Sequence, residues 1–316
     1  MQIARKVMVR CRSLLPCLLL ASLLSCGGGT QQIEPFQARQ VIYIGDETVG
    51  LLADGRRYGI NPVDANNALV CDQLPIWSQQ VAANFGFATD VCSPGSRGVT
   101  QAAANAKAAD IEAQISRQLA TGITDKDLYI VMVGLNDIID LYENYQGDRS
   151  CDPGARNPGG LMGEADARGR LVAAQVSRIL AADGRAIVST VHDVGYTPYA
   201  LAKEVVAPGS QALLSCLTAR FNARVRVDIR PLDGRLWGLV LADDDTLAAV
   251  RNPGNFGFVN TTSAACAVAS PDCTTNTLVG GANAGNFLWA DDRHFGPVFH
   301  NQLAAQAITR ARNNPF

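Results

Sequence analysis

Histidine is scarce in this sequence: there are three in 316 residues, and no Cys-x-x-Cys pair accompanies them. That argues against the usual clustered zinc sites and confines imidazole chemistry to His192, His294 and His300. A Gly-x-Gly-x-x-Gly turn, a Walker-type phosphate loop and a metal-ligand cluster are all absent, so no cofactor and no metal is expected. No Gly-x-Ser-x-Gly elbow surrounds any serine, which excludes that common form of nucleophile turn. Charged residues make up only 18% of the chain and form no basic stripe, so nucleic acid is not an expected partner. Internal repeats and low-complexity linkers are lacking as well, which favours one domain over several.

What the chain does have begins with a leader. Arg5, Lys6, Arg10 and Arg12 form a basic front to an apolar run over 14–24 that is too short to span a bilayer as a stable helix. Leu23-Leu24-Ser25-Cys26 follows and resembles the lipobox of bacterial lipoproteins. The resemblance implies that residues 1–26 are a signal peptide ending at an acylated Cys26. Residues 27–39, opening Gly-Gly-Gly-Thr-Gln-Gln, then read as a flexible tether and 40–316 as the folded domain. An exported protein held by its lipid on the bacterial envelope is expected; glycine rather than aspartate after Cys26 points to the outer membrane. Loss of the leader takes Lys+Arg from 27 to 23 against 29 Asp+Glu, so the mature chain carries a net charge near −6.

Cys11 and Cys17 leave with that leader, and Cys26 is the lipid site. Cys71, Cys92, Cys151, Cys216, Cys266 and Cys273 remain, and an even set in an exported chain reads as disulfides. Their pairing is not fixed by sequence. Closing the shortest loops first favours Cys71–Cys92 and Cys266–Cys273, leaving Cys151–Cys216.

Along the remaining chain, apolar runs alternate with helical patterns. Runs at 41–44, 128–133, 186–191 and 236–241 read as strands. Between them, a helix capped by Thr100 carries Ile111, Ile115 and Leu119 and stops near Gly122; further helices are expected over 165–182, 211–225 and 298–312. Strands separated by helices imply right-handed crossovers and a parallel sheet covered on both faces, a three-layer α/β sandwich of flavodoxin-like type. Residues 50–75 and 243–288 read as long loops.

Three polar segments fall where such sheets bind ligands, beyond the carboxyl ends of strands. They are Gly45-Asp46-Glu47 after the first strand, Gly134-Leu135-Asn136-Asp137 after a later one, and Asp291-Asp292-Arg293-His294 before the last helix. A carboxylate three residues before a histidine can fold back onto the imidazole and fix its tautomer; Asp291 and Asp292 both compete for that role. Asn136 offers a side-chain amide and Gly134 lets backbone come close, while His300 belongs to the helix.

In order and spacing these segments resemble the first, third and last blocks of the SGNH (GDSL-type) ester hydrolases. The resemblance implies a base in His294, its orienter in Asp291, oxyanion donors in Asn136 and a second-block glycine, and a bracing role for Asp46. The best match for that glycine is Gly98, with Gly95 an alternative. Two positions depart from the pattern. Phe295 replaces the proline after the histidine, and Glu47 stands where the nucleophilic serine belongs; Thr48 is one residue late on the turn. An ester substrate, small or carried on a polymer, is implied. Glu47 then has three readings: a base for water or a carboxylate nucleophile, part of a site that binds an acyl or sugar ligand without turnover, or an ion-pair partner for His294. If the scaffold is a serine-hydrolase frame with one altered part, Glu47 should lie within hydrogen-bonding reach of His294. The lipid assignment has its own test: Cys26→Ala should abolish signal processing and shift the exported protein from membrane to soluble fractions, and unchanged fractionation would refute it.

Overall fold

The computed structural model describes residues 35–156 and 158–313; the leader, Cys26 and the tether as far as residue 34 lie outside the described residues. Where the tether is described it is not free. Phe36 is buried against Phe85, ring centroids 5.8 Å apart, and Arg39 makes a two-pronged bond to Asp127 at 2.9 and 3.0 Å. The reading of 27–39 as one flexible stretch therefore runs too far: an aromatic side chain and a paired arginine tie its end to the domain.

In chain order the main elements are β1 (Gln40–Gly45), α1 (Trp77–Asn84), β2 (Gly98–Thr100), α2 (Ile111–Thr121), β3 (Asp127–Met132), α3 (Leu135–Asn144) and α4 (Gly160–Ala181). Then follow β4 (Arg185–Ser189), α5 (Pro198–Val206), α6 (Ser210–Ile229), β5 (Trp237–Val240), α7 (Ala242–Arg251), β6 (Asn260–Ala264), β7 (Phe287–Trp289) and α8 (Pro297–Asn313). The five-stranded sheet is parallel throughout, in the order β2-β1-β3-β4-β5, and β6 pairs with β7 in a small separate sheet.

Period-two side chains assign the two faces. Ile42, Ile44, Tyr129 and Val131 pack with Ile111 and Ile115 of α2, Val172 and Val176 of α4, and Leu217 and Phe221 of α6. Val41, Tyr43, Leu128 and Ile130 pack instead with Trp77 and Val81 of α1 and Phe299 and Leu303 of α8. With both faces covered, the strands are continuous apolar runs, which is why they were legible. Some expectations fail. Thr100 ends a strand and caps no helix; α2 begins eleven residues later, after a run of turns. The stretch 243–288 is not all loop, since it contains most of α7 and β6.

Long connections are clasped by polar and covalent links. Arg57, buried, donates to the main-chain carbonyls of Cys71, Gln73 and Leu74, each at 2.7 Å, and so pins the 50–75 insertion. Disulfides join Cys71 to Cys92, Cys151 to Cys216 and Cys266 to Cys273, the pairing that loop-closure economy favours. In the chain-entropy account the stabilisation grows with the loop closed. The Cys151–Cys216 bridge, spanning 65 positions, should then contribute about 4 kcal/mol and the Cys266–Cys273 bridge, spanning 7, about 2 kcal/mol. Urea denaturation of the two double Cys→Ser variants should show the larger loss for the first, and the reverse order would refute the entropic ranking.

Candidate active site

The site begins with two carboxyl ends that nearly touch. Gly45 closes β1 at φ 138°, and a Cβ there would lie 1.8 Å from the carbonyl oxygen of Met132 in β3, so no other residue fits. Gly134, at φ 133°, is similarly constrained: a Cβ would stand 2.6 Å from the Phe221 ring. Asp46 bridges the two turns. It accepts from Gly134 N at 3.2 Å, from Thr48 N at 3.0 Å and from the Thr48 hydroxyl. That hydroxyl is thereby committed to a brace rather than presented to a ligand. Burial, followed by the charge of neighbouring Glu47, pushes the Asp46 carboxyl up to about 7 against the pull of these bonds.

With the turns fixed, Glu47 and Asn136 face each other, the latter in the first turn of α3. Asn136 Nδ2 donates to both oxygens of Glu47, at 3.1 and 3.0 Å, and to Ala106 O at 3.2 Å. Asn105 N donates to Glu47 Oε2 at 2.7 Å. Asn105 has φ 62°, a left-handed conformation that asparagine tolerates better than most side chains. Its only trace in the sequence is a single asparagine interrupting an alanine-rich run, Ala102-Ala103-Ala104-Asn105. Gly98 does not take this place. It pairs with Val41 near the start of β1, about 13 Å of strand from the carboxyl end. Its amide is already bonded to Ala88 O at 3.0 Å, and Gly95 lies further back in the preceding turn. The assignment of Gly98 as an oxyanion donor is therefore corrected: the sheet register puts Asn105, not a glycine of that block, beside residue 47.

The last segment closes the site from the other side. His294 Nδ1 lies 2.8 and 3.0 Å from the oxygens of Asp291, and Nε2 lies 3.5 Å from Glu47 Oε1, at the outer limit of a hydrogen bond. Asp291 also accepts from the main-chain amides of His294, Arg293 and Ser270, at 2.7, 2.9 and 2.9 Å. Asp292 instead pairs with Arg293 at 2.8 Å and is half exposed, which settles the choice between the two aspartates. Phe295, where the resemblance calls for proline, stacks on Trp289 and packs against Phe299, centroids 5.6 and 4.4 Å away, and so anchors the loop in the core. His192 and His300 are buried and neutral, each pushed down to about 3, first by burial and then by nearby positive charge. His300 Nδ1 faces Trp77 N at 3.4 Å.

Glu47, His294 and Asp291 are all nearly inaccessible to solvent. Burial opposes the charged imidazole, yet Asp291 and then Glu47 outweigh it and raise His294 to about 9. Asp291 is held ionised, burial being overcome by His294 and the amides. For Glu47 the largest single influence, burial, is overcome by the His294 bond and charge, its own amide and that of Asn105, so its carboxyl is lowered. The arrangement is thus carboxylate, imidazolium, carboxylate. Beside it, a cavity of about 10 Å³ lined by Glu47, Leu51, Leu52, Tyr58 and Ala102 has room for one water at most. A larger cavity, about 550 Å³, lies outside α1 among Gln79, Ala83, Phe87 and Ile308 and shares no residue with the site. Among the described residues no cluster of histidine, cysteine, aspartate or glutamate is placed to hold a metal ion.

A base raised to about 9 is charged below that pH, so His294 should carry its proton at neutrality. The imidazole nitrogens of His294, followed by NMR against pH, should titrate with a midpoint near 9. A midpoint at or below the ordinary 6.5 would refute the ion pair with Glu47.

No family model matches the chain, and neither does any curated protein. Among solved structures, the acetyl xylan esterase AlAXEase aligns over 84% of this chain and 96% of its own, with 13% identity and a TM-score of 0.44. Axe2, an acetylxylan esterase from Geobacillus stearothermophilus, aligns over 87% of this chain and 94% of its own, with 13% identity and a TM-score of 0.43. At that level of likeness no residue role transfers from either.

Proposed function

We propose that this protein is an SGNH-type ester hydrolase in its architecture, held on the bacterial envelope through Cys26. Its ligand class is acyl or acetyl esters, small or carried on a polymer. The observation that carries the reading is the convergence of Asn105 N, Asn136 Nδ2 and His294 Nε2 on the side chain of residue 47, with Asp291 behind the imidazole. Acyl transfer needs that set of parts: a residue facing the acyl carbon, a base with an orienter, and donors for the oxyanion. All lie beyond the carboxyl ends of parallel strands, where such folds bind ligands.

Glu47 sets the rate. Attack by its carboxylate on an ester would produce an anhydride, uphill from the substrate. Water is the better nucleophile, but the His294 imidazole is charged at neutral pH and gains a free lone pair only as pH passes about 9. Hydrolysis by the wild type should therefore be slow at pH 7 and rise toward alkaline pH. A second reading, binding of an acyl or carbohydrate ligand without turnover, is favoured by the same charged histidine, which has no free lone pair to act as a base at neutral pH.

Hydrolysis of p-nitrophenyl acetate by the mature domain separates the two. At pH 7 the wild type should stay within a few-fold of His294→Ala and resist fluorophosphonate labelling. Glu47→Ser should gain labelling and turnover by on the order of 10²-fold or more, the usual contribution of a positioned general base. A folded Glu47→Ser protein that remained inert would sink the hydrolase reading and leave ligand binding.

A further inference from the structure

We infer that Glu47 acts as an intramolecular ligand: its carboxylate occupies the oxyanion site as a bound monocarboxylate product would, and removal of this side chain leaves a binding site for a carboxylate of acetate size. The inference rests on the reading above only in taking this pocket as an acyl site.

Bond counting supports the match. In an ester formed on serine, the acyl carbon is two bonds from Cβ, through Oγ. In glutamate the carboxyl carbon is also two bonds from Cβ, through Cγ. The Glu47 carboxyl carbon therefore stands where an acyl carbon would stand on a serine at this position. Its oxygens divide as a product acid's would. Oε2 takes Asn105 N at 2.7 Å, Asn136 Nδ2 bridges Oε2 at 3.0 Å and Oε1 at 3.1 Å, and Oε1 also faces His294 Nε2 at 3.5 Å. These charge-assisted bonds are made in a buried pocket, where they are stronger than in water. The small cavity that borders Glu47 on the Leu51, Tyr58 and Ala102 side, about 10 Å³, is itself too small for an acyl group. An ester carbonyl can use these donors only as far as the Glu47 carboxylate gives them up.

Tethering predicts that an external acid will not compete in the wild type. A group already attached acts at a high effective concentration, so a small carboxylate with the same contacts cannot displace it. Cutting the side chain to a methyl group removes the tethered ligand and leaves Asn105 N, Asn136 Nδ2 and His294 Nε2 pointing into the vacated volume. Of the charged or titratable groups around the imidazole, Asp291 remains at Nδ1, the Tyr58 ring lies 5.0 Å away, and His192 and His300 stay neutral. Asp46 remains behind the turn.

The test uses the mature domain as Glu47→Ala and Glu47→Gln, with sodium acetate as the probe and sodium chloride at equal ionic strength as control. In Glu47→Ala the His294 midpoint, followed by NMR, should fall relative to wild type, and millimolar acetate should raise it again while shifting the Asn136 side-chain amide signals. Wild type and Glu47→Gln, whose pockets are filled, should show no acetate response. The Gln variant keeps the shape of the native side chain, and loss of the charge alone should lower its His294 midpoint, so it tests the pairing even if the Ala variant fails to fold. Unchanged midpoints in the folded variants, or an equal acetate response in wild type, would overturn the inference. Ester turnover by Glu47→Ser reports separately on the hydrolase reading: inert Glu47→Ser with acetate-binding Glu47→Ala removes that reading and keeps this one.

Discussion

The contact between the ends of β1 and β3 governs the rest of the site. Gly45 passes so close to Met132 O that only a hydrogen can stand between them, and Asp46 then ties the turn after β1 to Gly134 N in the turn after β3. Neither turn can rotate without breaking a buried bond to a carboxylate, a loss that costs the desolvation of the orphaned partner. Residue 47 and Asn136 are presented to one another by this joint, and α3 begins from it. A serine-based or a glutamate-based centre would use the same joint, because none of its parts depends on the side chain at position 47.

Charge distinguishes the two cases. A serine hydroxyl beside His294 would leave the imidazole with one anionic partner, Asp291. Glu47 supplies a second and turns a proton acceptor into a fixed cation between two anions. The pocket then holds one net negative charge away from water, offset by the amides of Asn105, Asn136, Ser270, Arg293 and His294. Of these, the Asn105 and Asn136 donors are the ones that the proposed reaction would aim at an oxyanion, so on that reading stabilising the resting carboxylate and stabilising an oxyanion are alternatives. The raised carboxyl of Asp46 belongs to the same balance, since burial and the Glu47 charge both oppose a second anion on the turn.

The loops around the dyad are built to hold it still. Ser270, whose amide reaches Asp291, lies inside the short loop closed by Cys266 and Cys273. Asn61 donates to Pro271 O and Cys273 O, joining that loop to the segment that carries Tyr58 over the imidazole. Arg57 ties the other end of this segment to the carbonyl of Cys71, itself bridged to Cys92. Two of the three disulfides among the described residues thus brace segments that touch His294 or its partner.

By itself the sequence determined the strands at 41–44, 128–133 and 186–191, four of the helices packed on them (α2, α4, α6 and α8, but not α1), and the polar segments at their ends. Burial on both faces writes strands as unbroken apolar runs, and a chain turning into a site must use residues such as Gly45 and Gly134 that tolerate close approach. It also marked the Asp291-Asp292-Arg293-His294 run as an imidazole with a nearby carboxylate, a local matter of spacing, and the family resemblance favoured Asp291 over Asp292. The tertiary structure decided what depends on register. Gly98 carried the sequence signal, but pairing with Val41 put it at the far end of the strand, and Asn105 arrived instead through a run of turns no periodicity describes. Only the tertiary structure could show where Glu47 points: its oxygens, the amides and His294 come from segments as far as 247 positions apart, and their distances exist only once the sheet has brought those strand ends together.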